Sequence, residues 1–455
     1  MVLPFEAVVG QRGPALENPE STMTIPTHTT LTDRPAARRR CGEKPTEPKS
    51  AAFVLALGFA QFGLFVALLG PVIVSMALKV NTVLTNPTER TSALGLVLGV
   101  GAIAAFLGNA LFGRLSDRTT SRFGRRRPWL IGGSLVMAAA LLLISQAQSV
   151  PVLAVGWFIA QLGANAAFAP FIATMADQLP DKQYAKASAM VGVMQNVGVL
   201  GASQIASHMT GNMLGLFMVP AAVGVVGMVV YALVLDDPVL EEKPDRLDWR
   251  TLAGTFWVSP FRNPDFGFAW WSRFLIILSS FLFTTFRLNF LVDRVGLEDA
   301  EAAGAIATGI LIYTGVLVVS GWVAGVVSDR TGKRKMLVAS STLLFGIGVA
   351  LLAHAHTLSA FYVVEAIMGL AYGIYMSVDM ALVLEVLPNR DDSGKDLGVF
   401  NMANAIPQSL APFLGSLLLG LGATAATPNY TLMLWTAAIV ALIGAAVVLP
   451  IRKVQ

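Results

Sequence analysis

From residue 51 onward, long apolar runs alternate with short polar segments. A bilayer-spanning helix needs about 20 mostly apolar residues. Twelve runs meet that length. Those of the first half are 51–79, 91–113, 128–148, 151–175, 188–209 and 213–235, and those of the second are 270–291, 305–327, 336–355, 358–385, 397–420 and 431–451. The longest polar connection, 236–269, is rich in Asp, Glu, Lys, Arg and Pro and separates the two sets. The pattern predicts an all-α membrane protein: a six-helix bundle over 51–235, a linker over 236–269 and a second six-helix bundle over 270–455. Residues 1–50 have no hydrophobic period and read as a disordered tail. Met1–Gly10 is too short an apolar run for a signal peptide and contains Glu6.

Charge sorts along this map. With the N-terminus placed inside, 28 of the 32 Lys and Arg residues fall on the inner side, Arg273 among them as part of the linker region. Lys79, Arg90 and Arg294 fall outside, and Arg287 lies within helix 7. An asymmetry of this size predicts that both termini are cytoplasmic and supports an even number of spans. The composition agrees, with 55% apolar and 13% charged residues and a mean hydropathy of +0.65. The lone Cys41 excludes an intrachain disulfide, and the four scattered His residues offer no metal-ligand spacing, so no metal or cofactor is expected.

Gly113-Arg-Leu-Ser-Asp-Arg-Thr119 returns 212 positions later as Gly325-Val-Val-Ser-Asp-Arg-Thr331. Both copies end an apolar run and precede a basic burst, so one helix hairpin is encoded twice. Duplication of this kind marks transporters built from two related halves. Topology alone explains the basic residues but not the identical spacing of Gly, Ser, Asp, Arg and Thr. Asp117, Arg118, Arg126, Asp329 and Arg330 are therefore candidates for a gating contact between helices, with Gly113 and Gly325 allowing close approach.

Ionisable residues inside spans mark functional positions by default. Glu365, Tyr372 and Asp379 recur every seven residues and share one face of helix 10. Glu365 and Asp379 are the candidates for proton coupling. Arg287 either snorkels to the surface or pairs with Glu365 as an outer gate. Amides lie at similar depth: Gln61 in helix 1, Gln161 and Asn165 on one face of helix 4, and Asn401, Asn404 and Gln408 on one face of helix 11. One such amide alone reads as interhelical glue. Together with Tyr372 and Asp379, the set Gln61, Gln161, Asn165, Asn404 and Gln408 reads as a polar path for a polyhydroxylated solute, whose hydroxyls need donors and acceptors. Pro71, Pro170, Pro407 and Pro412 are candidate bending points.

The duplicated loop resembles the Gly-x-x-x-Asp-Arg-x-Gly-Arg-Arg hallmark of the major facilitator superfamily over residues 51–455. A narrower resemblance is to sucrose–proton symporters and the related glycoside–cation symporters. Four segments carry it: Ser116–Trp129, Ala60-Gln-Phe-Gly63 with Pro71, Asn165 with Pro170 and Asp177, and Leu397-Gly-Val-Phe-Asn401 with Ile406-Pro-Gln408. The resemblance implies a monomeric secondary transporter that takes up a sugar or glycoside with a proton. One position departs from it. Plant sucrose symporters have an acid sixteen residues before the counterpart of Asp177, where this chain has Gln161, which cannot carry a proton. An exporter of drugs or metabolites on the same fold is the alternative, although 188–209 lacks the proline of the common exporter signature. A non-transporting sensor is a weaker alternative. No phosphate-binding Gly-Lys-Ser/Thr loop or nucleophile–His–acid grouping is present, so an enzyme is not expected.

Overall fold

The structure is a computed structural model that describes residues 47–240, 263–386, 393–424 and 427–452. Residues 1–46 of the expected tail, residues 241–262 of the expected linker and the side chain of Asn401 lie outside the described set.

Twelve helices follow one another among the described residues. They are α1 (Ala51–Val83), α2 (Pro87–Asp117), α3 (Arg127–Gln146), α4 (Val150–Gln178), α5 (Asp181–Met209), α6 (Met213–Val234), α7 (Pro264–Val295), α8 (Asp299–Thr331), α9 (Arg334–Leu352), α10 (Leu358–Val386), α11 (Ser393–Gly420) and α12 (Tyr430–Val448). Eleven contain a stretch long and apolar enough to cross a membrane. The twelfth, α11, is long enough but is diluted by Asn404, Pro407, Gln408 and Pro412. This all-helical architecture is the one the apolar runs predict.

Several helices outrun their apolar stretches because polar caps extend them. Helix α2 begins at Pro87 rather than 91, since the Asn86 side chain accepts from the N–H groups of Thr88 and Glu89 and Pro87 suits the first turn. Helix α8 begins at Asp299 rather than 305, held by a reciprocal capping box between Glu298 and Glu301. It stops at Gly332, whose φ of 66° is left-handed and favours glycine. Helix α7 begins at Pro264, six residues before the predicted edge. That extension places Arg273 more than two turns inside the helix instead of beside its edge, so its charge is not the topological marker that its place near a predicted span edge suggests. Pro71 opens a π-helical turn, Pro71–Ser75, within α1, and a second π turn, Leu291–Val295, ends α7. Pro170, Pro407 and Pro412 lie inside α4 and α11.

The packing repeats with the sequence. Helix α1 packs on α5 and α6, α2 on α4, and α3 on α4 and α6. Six helices later, α7 packs on α11 and α12, α8 on α10, and α9 on α10 and α12. The two sets meet mainly through α2 against α11 and α5 against α8. Hydrogen bonds between them cluster where α1 ends and α2 begins. Asn81 Nδ2 donates to Asp299 Oδ1 at 2.9 Å, Asn289 Nδ2 to Asn81 Oδ1 at 3.4 Å, and Thr88 Oγ1 to the Thr424 carbonyl at 2.5 Å.

Close approach is carried by glycines other than those of the repeated loop. A Cβ at Gly133 would stand 2.7 Å from the Gly163 carbonyl, one at Gly63 2.6 Å from that of Val223, and one at Gly369 2.5 Å from that of Tyr313. These positions bring α3 onto α4, α1 onto α6 and α8 onto α10. Gly113 instead has ordinary contact with Ala169, and nothing lies within 4 Å of a Cβ at Gly325, so neither mediates the tight contact its position suggests. Gly369→Val forces a side chain against a backbone carbonyl that cannot give way. We expect it to destabilise the protein by about 1–3 kcal/mol, as overpacking does, and to lower the midpoint of thermal unfolding in detergent by several degrees. Gly304→Ala, with open space at its Cβ, serves as the control and leaves the midpoint in place.

Candidate functional site

The strongest concentration of buried charge lies between α7 and α10. Arg287 Nη2 stands 3.2 Å from Glu365 Oε1, and Arg273 Nη2 stands 2.7 Å from Asp379 Oδ2. Glu365 is completely buried, and the other three residues are nearly so. Helix periodicity places Glu365, Tyr372 and Asp379 on one face of α10, and that face meets α7. Of the two alternatives for Arg287, the structure holds the ion pair with Glu365. Helices α7 and α10 have little backbone contact, so the long arginine side chains span the gap between them.

Aromatic rings surround both pairs. The Arg287 guanidinium lies 5.0 Å from the Phe283 ring centre, and that of Arg273 lies 4.5 Å from Phe400 of α11. Tyr372, between the two acids in sequence, stacks obliquely among Tyr313, Phe345 and Tyr375 with ring centres 5.8–6.2 Å away. Both oxygens of Glu365, Asp379 Oδ2, and the Nε atoms of Arg273 and Arg287 are buried and make no hydrogen bond among the described residues. Each pair therefore rests on charge attraction with donor and acceptor capacity to spare. An oxygen-rich solute or a proton has chemistry to meet there.

The other predicted contacts are less concentrated. Asn165 Nδ2 donates to the Gln161 carbonyl of its own helix at 2.9 Å, and Asn165 Oδ1 accepts from Asn109 of α2 at 3.4 Å. Asn165 thus ties α4 to α2. Gln161 is buried, with its side chain beside Gly101 of α2. Gln61 is fully buried, and its Oε1 has no partner among the described residues. Asn404 and Gln408 are half-buried on α11. Gln61 and Ser75 stand 212 positions before Arg273 and Arg287, the same interval that separates the repeated loops. Ser75 Oγ is likewise buried without a partner among the described residues. The column on α7 is thus charged where its repeat on α1 is neutral.

Arg273 is the functional candidate that hydropathy and charge sorting pass over. Two signals mark it: its interval of fourteen from Arg287 equals that from Glu365 to Asp379, and it repeats Gln61.

At the loop between α2 and α3, Arg126 is the hub. Its Nη2 contacts Asp117 at 2.6 Å and Asp177 at 3.1 Å, its Nη1 donates to Ser116 Oγ at 2.5 Å, and Arg125 reaches Asp177 at 2.7 Å. Asp177 at the end of α4 is therefore a helix-contact residue. Asp237, just beyond α6, accepts from the backbone N–H groups of Arg126 and Arg127 at 2.6 and 2.8 Å. Burial raises the Asp237 carboxyl above its ordinary range, against the lowering effect of those N–H groups and of the Arg127 charge. Gly124, with φ 101°, leaves room for this carboxylate where a Cβ would collide with it. Arg118 lies half-buried at the end of α2. The second copy of the loop is built differently: Asp329 and Arg330 are exposed, and the ion pair there is Arg334 with Glu385 of α10.

Residues 54–412 and 302–455 match the family described as Major Facilitator Superfamily. An uncharacterised MFS-type transporter of Bacillus subtilis is 33% identical over 111 residues, 24% of this chain and 21% of that protein. A protein of Cupriavidus pinatubonensis named "Probable 4-methylmuconolactone transporter" is 32% identical over 137 residues, 30% of each chain. The alignments thus span about a fifth to a third of these relatives. Among solved structures, a bacterial homologue of the human lysosomal transporter Spinster, inward-facing and occupied, superposes with a TM-score of 0.70 at 14% identity, over 90% of this chain and 98% of that one. The nucleoside transporter NupG superposes with a TM-score of 0.67 at 15% identity, over 89% and 100%. At such identities the likeness is one of fold.

Breaking one partner of a buried ion pair leaves an uncompensated charge, which costs about 3–5 kcal/mol, whereas removing both is far milder. We expect Glu365→Gln and Arg287→Gln each to lower the thermal midpoint in detergent sharply. The double variant Arg287→Gln/Glu365→Gln recovers most of the loss.

Proposed function

This chain belongs to the Major Facilitator Superfamily, and on that premise we propose that it is a proton-coupled secondary transporter taking up a sugar or glycoside. The observation that carries the reading is the pair of buried Arg–carboxylate contacts between α7 and α10. Charge in the membrane interior is expensive and persists where it is used. A carboxylate facing a guanidinium has two alternative partners, the cation and a proton, and exchange between them moves one positive charge in or out of the site. Glu365 and Asp379 carry the coupling proton in this reading. Gln61, Gln161, Asn165, Tyr372, Asp379, Asn404 and Gln408 bind the solute.

The chain works as a monomer of two six-helix bundles, 51–235 and 270–455, with the linker and both termini cytoplasmic. The Asn81–Asp299 and Asn81–Asn289 contacts then lie at the outer end of the bundles and seal it. Arg287 belongs to the outer gate. Asp117, Arg118 and Arg126, with Asp329 and Arg330 in the second copy, belong to the cytoplasmic one. The sugar and the direction of transport rest on the sequence resemblance to sucrose–proton and glycoside–cation symporters. An uncharacterised symporter of Synechocystis sp., 45% identical over 56 residues, 12% of this chain and 10% of that protein, supports symport.

Uptake of labelled sucrose into proteoliposomes tests this reading. With the lumen made alkaline, we expect accumulation several-fold above equilibrium and alkalinisation of the medium on sucrose addition. Glu365→Gln and Asp379→Asn each abolish accumulation, so that sucrose rises no higher than equilibrium. Efflux of a cationic dye without sucrose uptake identifies an exporter, and sucrose binding without movement identifies a sensor. Either result overturns the proposal.

A further inference from the structure

Arg273 and Arg287 are fourteen residues apart on α7, and Glu365 and Asp379 are fourteen residues apart on α10. The pairs cross in order: the earlier arginine takes the later acid, as antiparallel helices require. At 1.5 Å per residue the two contacts lie roughly 21 Å apart along the helices. Both helices are unbroken α-helix over that distance, since the π turn of α7 begins only at Leu291. Neighbours hold the two helices separately, α11 and α12 for α7, and α8 and α9 for α10. Two stiff rods bridged at two points of equal spacing satisfy both bridges in one register only. An axial shift or rotation that opens one bridge displaces the other.

We infer that Glu365 and Asp379 are two linked proton-binding sites, coupled through the register of α7 against α10, with Arg273 and Arg287 as their positioning residues. Use of this linkage for transport rests on the function proposed above, but the linkage itself does not. Glu365 is faced by Arg287 of α7 and Tyr313 of α8. Asp379 is faced by Arg273 of α7 and by Tyr375 of its own helix, and Tyr372 lies near the same pair. No other titratable group faces either acid among the described residues. When a proton takes Glu365, Arg287 loses its partner, α7 is freed at one end, and the Arg273–Asp379 contact loosens. The reverse order works equally. Coupling energies of this kind correspond to about one to two pH units.

The test uses the full chain in detergent without solute. The infrared carbonyl stretch of protonated carboxyl groups is followed as pH is stepped. The double variant Arg287→Gln/Glu365→Gln removes the outer bridge without changing net charge, and the band it abolishes identifies Glu365. Arg273→Gln/Asp379→Asn does the same for the inner bridge. We expect each double variant to move the titration of the remaining acid by one to two pH units. Even a full unit charge at roughly 21 Å moves a titration by only about half a pH unit at an effective dielectric constant of 20, and these variants add none. A shift below half a unit in both, or a band that fails to titrate in the wild type, overturns the inference. If either variant does not fold, the shift in the other decides between linked and independent sites. Linked titrations without proton-driven sucrose uptake keep this inference and sink the proposed function, and uptake with independent titrations does the opposite.

Discussion

Charge in a hydrocarbon slab must find opposite charge, and few side chains are long enough to bring it across a helix gap. Helices α7 and α10 meet that constraint with arginine, whose guanidinium reaches from one helix to a carboxylate on the other. The consequence is a pair of helices held apart at backbone distance yet joined electrically. A direct helix–helix seam such as α8 on α10, where Gly369 lies against a carbonyl, has one tight solution. A bridged seam has room for a second, with the ions apart, and protonation of the carboxylate is what would favour it in the proposed reading. The capacity for more than one state follows from side-chain length and low dielectric before any solute is considered.

The duplicated scaffold makes the location of this device informative. Both halves repeat the same helix neighbours, and both place two polar residues fourteen apart on their first helix. On α1 these are Gln61 and Ser75, and on α7 they are Arg273 and Arg287. Duplication fixes position, and substitution fixes chemistry. The amide and hydroxyl of α1 need no counter-charge, while the arginines of α7 require one and meet it in Glu365 and Asp379. The loops diverge in the same way. In the first half, Arg126 gathers Asp117 and Asp177 with most of its own surface buried, whereas in the second, Asp329 is left to solvent. The Arg334–Glu385 pair of the second loop is partly exposed, and such pairs contribute little to stability.

Most of the helical map was legible because lipid imposes a length on apolar runs. The errors lay at helix ends, where Asn86 and the Glu298–Glu301 box add turns that hydropathy does not register. The pairing of Arg287 with Glu365 was legible as one of two options, since depth alone placed them at one level. Arg273 was not legible by the same route. Positive charge three residues from a predicted span edge reads as topology, and the true start of α7 at Pro264 puts it well inside the helix. Interval matching would have found it, because two equal spacings on antiparallel helices are a stronger constraint than either residue alone. The tight glycines were also hidden. Gly133, Gly163 and Gly369 resemble every other small residue in these spans until the facing carbonyl is known.

The amides illustrate a different limit. Asn165 spends its donor on its own helix and its acceptor on Asn109, so its first role is structural. Gln61 leaves Oε1 unsatisfied although fully buried. A buried acceptor without a partner is unfavourable by about 1–3 kcal/mol, which a protein tolerates where a donor arrives from elsewhere. Under the transport function proposed above, a hydroxylated solute would bring that donor. By the same reasoning the spare N–H groups of Arg273 and Arg287 are open to acceptors, as the unpartnered oxygens of Glu365 and Asp379 are open to donors. In the proposed reading the first half offers the acceptor of Gln61 and the second offers both donors and acceptors, so a polyhydroxylated solute would find partners on both halves.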